Sequence, residues 1–174
     1  MPRYKLILLL WLLLIWWNLS AAQVSNKSSK LPKSPEPIIT LERSPDVFGG
    51  WPVYQLALYA DGTVIFEGEK NVKVGTFKGK ISQESLRQLI SEFEKIDYFS
   101  LRDQYHDAKD GCSIVGTDQP VVLTSLEING KRKTISHYYG CMSGFGMSDV
   151  YPRKLYDLEK KIDEVVNIKQ WSEW

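Results

Sequence analysis

Histidine and cysteine are scarce in this 174-residue chain, two of each, and methionine is little commoner at three. Metal centres recruit His, Cys and carboxylates at short, recurrent spacings, and none of the zinc or calcium rhythms occurs. Charge of one sign is missing too, with 22 Lys and Arg against 21 Asp and Glu. That balance removes the basic footprint of a nucleic-acid binder, so no nucleic acid is expected as a partner. Gly144-Phe145-Gly146 lacks a basic residue and the fingerprint spacing of a phosphate loop, and no strand–helix alternation surrounds it. Gly140-Cys141-Met142-Ser143-Gly144 falls short of the G-x-S-x-G elbow of serine hydrolases. No cofactor and no metal are expected, and no residue is assigned a catalytic role.

What is present begins with a leader. Arg3 and Lys5 precede an unbroken apolar run from Leu6 to Trp17, and Ser20-Ala21-Ala22 supplies the small residues of a cleavage site. Twelve helical residues rise about 18 Å, short of the ~30 Å hydrocarbon core. Residues 1–22 therefore read as a signal peptide cleaved after Ala22, and the chain as secreted or periplasmic. The rival is an uncleaved anchor over Tyr4–Ala22, the only route by which the membrane becomes a partner. Residues 23–37 (QVSNKSSKLPKSPEP) are rich in Ser, Lys and Pro and nearly free of large apolar groups, so they read as a disordered linker.

Residues 38–174 read as a single α+β domain. Ile38–Arg43 makes a first strand. Val53–Ala60 and Thr63–Glu67 flank Asp61-Gly62, a hairpin signal that sets Tyr59 opposite Val64 and Leu58 opposite Ile65. Thr76–Lys80 adds a short strand. Ser82–Ile96 is an amphipathic helix with Ser82 as N-cap and Leu86, Leu89, Ile90, Phe93 and Ile96 as its stripe. A polar loop over 102–120 leads to a second hairpin, Val121–Ile128 and Lys131–Tyr138 about Asn129-Gly130. There Val122, Leu126, Ile128, Ile135 and His137 share one face, and Glu127 opposes Arg132 on the other. Pro152 suits the start of a last helix with Leu155, Leu158, Ile162 and Val165 as its stripe. The order is ββα–ββα, an antiparallel sheet built from two hairpins with helices on one face.

Several of these residues resemble a family. Ser44-Pro45, Phe48-Gly49 and Pro52-Val53-Tyr54, then Tyr59-x-Asp61-Gly62-Thr63-Val64 and Glu67-Gly68, are similar to a TPCFGxCPxY…DGxVxYEG signature. It belongs to a domain-of-unknown-function family of exported bacterial proteins, and His137-Tyr138-Tyr139-Gly140 and Trp171 fit it as well. The family's two cysteines are absent, with Asp46 or Val47 and Trp51 in their places. The resemblance implies a small exported or lipid-anchored domain and carries no catalytic residues.

Cys112 and Cys141 flank the second hairpin and are expected to form a disulfide. His137 reads as a packed core residue, and the other histidine, His106, as part of a solvated loop with Asp103, Asp107 and Asp110; the two histidines are also the functional candidates, His106 being the one a metal would use with Asp107 or Asp110. Trp51, in Gly49-Gly50-Trp51-Pro52, and Met142, Phe145 and Met147 are candidate binding-loop residues. The function read from this is a non-enzymatic exported module that binds a protein or cell-envelope component through loops or a sheet edge. The rival is a small exported hydrolase or thiol enzyme using His137 with Cys141 or Ser143. Oligomeric state is left open.

Protein purified after export should begin at Gln23. Intact-mass measurement of a species that retains the full leader would overturn the cleavage reading.

Overall fold

The structure is a computed structural model and describes residues 36–142 and 152–172. The leader, most of the linker, and Ser143, Phe145 and Met147 lie outside the described residues. The fold is mixed α+β, with a mostly antiparallel sheet and two α-helices. Its strands are β1 (Ile39–Arg43), β2 (Val53–Leu58), β3 (Thr63–Lys70), β4 (Gly75–Lys80), β5 (Gln104–Tyr105), β6 (Ile114–Val115), β7 (Val121–Ile128), β8 (Lys131–Tyr138) and β9 (Cys141–Met142). The helices are α1 (Gln83–Lys95) and α2 (Arg153–Val166).

Seven strands form one sheet in the order β4-β3-β2-β1-β7-β8-β5, and β6 pairs with β9 as a separate ribbon. The expected ββα–ββα order is thereby corrected. Four strands precede α1, and five more lie between α1 and α2. β1 is a member of neither hairpin: it lies in the middle and pairs with β2 on one side and β7 on the other. The segment 102–120, expected to be loop, contributes β5 and β6. β5 runs parallel to β8 through Gln104–Ser136 and Tyr105–His137.

Side chains alternate across a strand, so directly opposed residues share a face. Ile39, Leu58, Val64 and Leu126 fall on one face with Leu41, Leu56, Phe66 and Ile135. All eight are essentially inaccessible to water. Leu86, Leu89 and Phe93 of α1 and Leu155, Leu158 and Ile162 of α2 join the same core. Each stripe repeats at three or four residues, which is what turns a helix face toward a sheet. Ser82 caps α1 as expected, accepting a hydrogen bond from the Ser85 N–H at 3.0 Å. Pro152 sits at the N-cap of α2, one residue before the helix. Trp171, in the 3-10 turn after α2, stacks on Phe66 at 4.8 Å. Gly79 permits this approach, since a Cβ there would lie 3.1 Å from the indole.

The two hairpins turn differently. Asn129 and Gly130 both have positive φ, and Ile128 pairs with Lys131, as a two-residue type I′ turn requires. The first hairpin is shifted by one residue from expectation: Leu58 opposes Val64, and Ala57 opposes Ile65. Only Gly62 has positive φ in this turn, and the Tyr59 N–H donates to the Thr63 carbonyl across a three-residue loop. A lone αL glycine closing such a loop replaces the type I′ geometry. The shift places Leu58 and Val64 together in the core, because a one-residue slip exchanges the two faces.

Cys112 and Cys141 are joined in a disulfide, 29 residues apart in sequence. The bridge ties the loop before β6 to β9, where Val115 pairs with Cys141. Closing a loop of this length stabilises a domain by ~3.5 kcal/mol in the chain-entropy account. Cys112→Ala is expected to lower unfolding free energy by roughly 2–5 kcal/mol in denaturant titrations. An unchanged midpoint would show that the bridge constrains nothing the fold does not already constrain.

Candidate functional site

Where the middle of the sheet meets α2, the core turns polar. Arg43 is the last residue of β1 and points inward in register with Leu41 and Ile39. Its guanidinium is only 6 % exposed and makes three charge-assisted contacts. Nε donates to the Tyr54 hydroxyl, Nη1 to the Tyr139 hydroxyl and Nη2 to Asp163 Oδ2, each at 2.7 Å. Tyr54 in turn donates to Asp163 Oδ1 at 2.5 Å. Planar donors in a fixed fork suit this arrangement, and a lysine's compact ammonium would not reproduce that spread.

A second buried set adjoins the first. His137 Nδ1 lies 3.0 Å from Glu159 Oε2, and the Thr124 hydroxyl lies 3.3 Å from Oε1. Tyr139, bonded to Arg43, also sets its ring 5.1 Å from that of His137, so it joins both sets. Two carboxylates of α2, four residues apart on one helix face, thus meet β1, β2, β7 and β8. Every buried side-chain polar atom among the described residues has a partner. Leaving one charge of such a buried pair alone typically costs about 3–5 kcal/mol.

These surroundings set the proton equilibria. Burial works against the charged Arg43 guanidinium, but Asp163, Tyr54 and Tyr139 outweigh it and hold the cation far into the alkaline range. Burial pushes the Asp163 carboxyl above the usual aspartate range, with Arg43 and Tyr54 pulling the other way. Tyr54, Tyr98 and Tyr139 are all raised. Burial is the main cause in each, reinforced by Asp163 for Tyr54 and by Glu159 for Tyr98 and Tyr139.

Above this polar floor opens a cleft of about 230 Å³. Trp51, Tyr139 and Tyr156 form its aromatic wall, and Lys160 stands at the rim with its ammonium 5.6 Å from the Tyr156 ring centre. Trp51 meets Tyr139 edge-on at 5.6 Å, and Tyr139 meets Tyr156 at 5.0 Å. Arg43 and Asp163 lie at the bottom.

The residues singled out from sequence scatter relative to this site. His137 is 1 % exposed and belongs to its buried half, held by Glu159. Trp51 lines the cleft and is 36 % exposed. Met142 is exposed on β9, away from the cleft lining. His106 lies on the opposite face of the sheet, with Nε2 2.8 Å from the Ser136 hydroxyl. Its backbone N–H donates to Asp110, and this bond does most to hold that carboxyl below the usual range. Among the described residues no three His, Cys, Asp or Glu side chains converge on a metal position. Cys141, paired with His137 in the rival reading, has its sulfur in the disulfide.

Sequence reading missed Arg43, Glu159 and Asp163. The signal was available: Leu155, Glu159, Asp163 and Val166 fall at three- and four-residue steps. Two acidic residues therefore interrupt an otherwise apolar stripe and need buried polar or cationic partners opposite.

The raised phenols have a direct consequence at high pH. A group whose folded pKa lies above its unfolded value of about 10 stabilises the fold below that value, and the contribution fades as pH rises further. Tyr54, Tyr98 and Tyr139 should appear as phenolate only together with loss of the near-ultraviolet circular dichroism. Full phenolate absorbance in a protein with its native spectrum would refute their burial in this network.

No curated protein matches the chain. A family model described as a domain of unknown function, DUF6438, matches residues 37–166. The matched span includes β1–β9, α2 and every polar residue of the buried network, and the chain belongs to this family.

Proposed function

We propose that the domain is an exported, non-enzymatic binding module whose cleft receives a component of the cell envelope. The observation that carries this reading is the cleft itself, an aromatic wall over a fixed polar floor. Apolar clefts with a few convergent polar groups are the usual form of a small-ligand site. Arg43 and Asp163 at the floor balance one another in charge, so the site favours a neutral ligand. The guanidinium has five N–H groups and uses three here, and each Asp163 oxygen accepts one bond with capacity for another. A ring bearing hydroxyl groups, such as one sugar unit of an envelope glycan, offers both donors and acceptors to that floor and a flat face to Trp51 and Tyr156.

Binding is favoured over catalysis because the reactive groups are engaged in holding the fold. His137, Glu159, Arg43, Tyr54 and Tyr139 are each fixed by buried partners, and a thiol mechanism lacks its thiolate. The disulfide is compatible with an extracytoplasmic location. Among the described residues no helix is long and apolar enough to cross a membrane.

Calorimetric titration with soluble glycan fragments released from cell wall tests the reading. Wild-type protein should bind, and Tyr156→Ala should weaken binding by about tenfold, the scale of one lost aromatic contact. Glycan binding that is absent, or unaffected by Tyr156→Ala, would remove the cleft from consideration.

A further inference from the structure

The loop between β1 and β2 holds apolar side chains in water by deliberate construction. Val47 is 74 % exposed and Phe48 82 %, with Trp51 beside them. Loops that merely lack structure expose such residues by chance, but this one is pinned. Asp46 Oδ1 accepts the Trp51 N–H at 3.1 Å, and the Asp46 carbonyl accepts the Gly49 N–H at 3.2 Å. Asn71 Nδ2, from the β3–β4 turn, donates to the Gly49 carbonyl at 2.8 Å and to the Trp51 carbonyl at 3.0 Å. The two loops are therefore one structural unit at one end of the sheet. The second loop adds Val74, 73 % exposed.

Two lysines, Lys70 and Lys73, flank the apolar side chains of this unit. The Lys70 ammonium lies beside Gly49, so close that a Cβ there would be 2.3 Å from it. Lys73 is exposed next to Val74, and its ammonium reaches the Gln170 carbonyl at 3.0 Å. Lys160 lines the same cleft as Trp51. The loop's own carboxylate, Asp46, is turned onto backbone amides. Desolvation acts to raise it, and the N–H groups of Trp51, Gly50 and Phe48 outweigh that and keep it below the usual range. Glu67 and Glu69 are the exposed acidic residues of the adjoining strand.

We propose that the Val47–Trp51 loop, with Val74 and the lysines Lys70 and Lys73, seats the domain on an anionic phospholipid surface. An aromatic and aliphatic wedge flanked by Lys matches the boundary between acyl chains and anionic headgroups. The wedge gains by leaving water, and each lysine by nearing the surface charge. The export reading brings the chain to a membrane, and in that sense the inference rests on it. The vesicle test itself does not require an occupied cleft.

The exported chain, beginning at Gln23 and so free of the leader's Trp11, Trp16 and Trp17, is mixed with vesicles of phosphatidylglycerol and brominated phosphatidylcholine, and tryptophan quenching is read. Wild-type protein should be quenched, and Trp51→Phe should remove the quenchable component. Val47→Ser with Phe48→Ser should weaken partitioning by at least about tenfold, as withdrawal of two apolar side chains implies. Both side chains already lie in water, so this variant keeps its melting curve. Lys70→Glu with Lys73→Glu should weaken binding on anionic vesicles and make no difference on purely zwitterionic ones. Equal quenching in wild type and the Val47/Phe48 variant would overturn the proposal, as would no quenching at all. Binding indifferent to the lysine changes, or loop-dependent capture of a protein in place of vesicles, would do the same. Tyr156→Ala should leave quenching unchanged, so failure here and failure of the cleft reading are separate outcomes.

Discussion

The guanidinium of Arg43 is the group on which the arrangement of this domain depends. Taking a cation out of water is tolerable only where hydrogen bonds and opposite charge surround it, and here three elements supply them. β2 provides Tyr54, the end of β8 leads into Tyr139, and α2 provides Asp163. An apolar contact tolerates sliding, because many placements bury similar area. A three-point fork with short bonds does not. The register of α2 against the sheet is thus fixed by directional bonds at one position, and Glu159 repeats the constraint one helical turn away through His137 and Thr124. The cleft inherits its rigidity from the same bonds, since its floor is the outer side of this network.

That network also explains why so many titratable groups in one place need not signal catalysis. Reactive sites keep a nucleophile or base with a free side facing substrate. Here every buried polar side chain has a protein partner among the described residues, and the buried carboxylates face a guanidinium, hydroxyls and an imidazole. Such groups orient and position well, which suits recognition.

Much of the fold was legible because periodicity and turn chemistry are local. The Asn129-Gly130 turn, the Glu127–Arg132 pair at 2.6 Å, the Ser82 cap and the helix stripes follow from neighbours within a few residues. The disulfide followed from two cysteines flanking one hairpin. What failed was non-local or too short to have a period. β5, β6 and β9 are two residues each, so no alternation marks them. Asp61-Gly62 resembles a two-residue turn in sequence, yet its register is decided by the need to bury Leu58 and Val64 together. The site was the least legible part. Arg43 looked like the polar end of a strand, and its partners lie 11, 96 and 120 residues away. Only a helical wheel on α2, read for acidic intruders, would have pointed to it.

The place of β1 in the sheet bears on how the chain assembles. Among the described residues this strand is the first in the chain, and it sits fourth of seven, with β2 on one edge and β7 on the other. Ile39 meets Leu58 after a short stretch of chain, but its other neighbour is Leu126. Until that distant segment arrives, β1 presents a bare row of backbone donors and acceptors along a strand with Ile39 and Leu41 on one face. Long-range pairings of this kind slow folding and leave a template for mispairing in the interval. A nascent chain would therefore carry its most adhesive edge from the outset and lose it only when the second hairpin is complete.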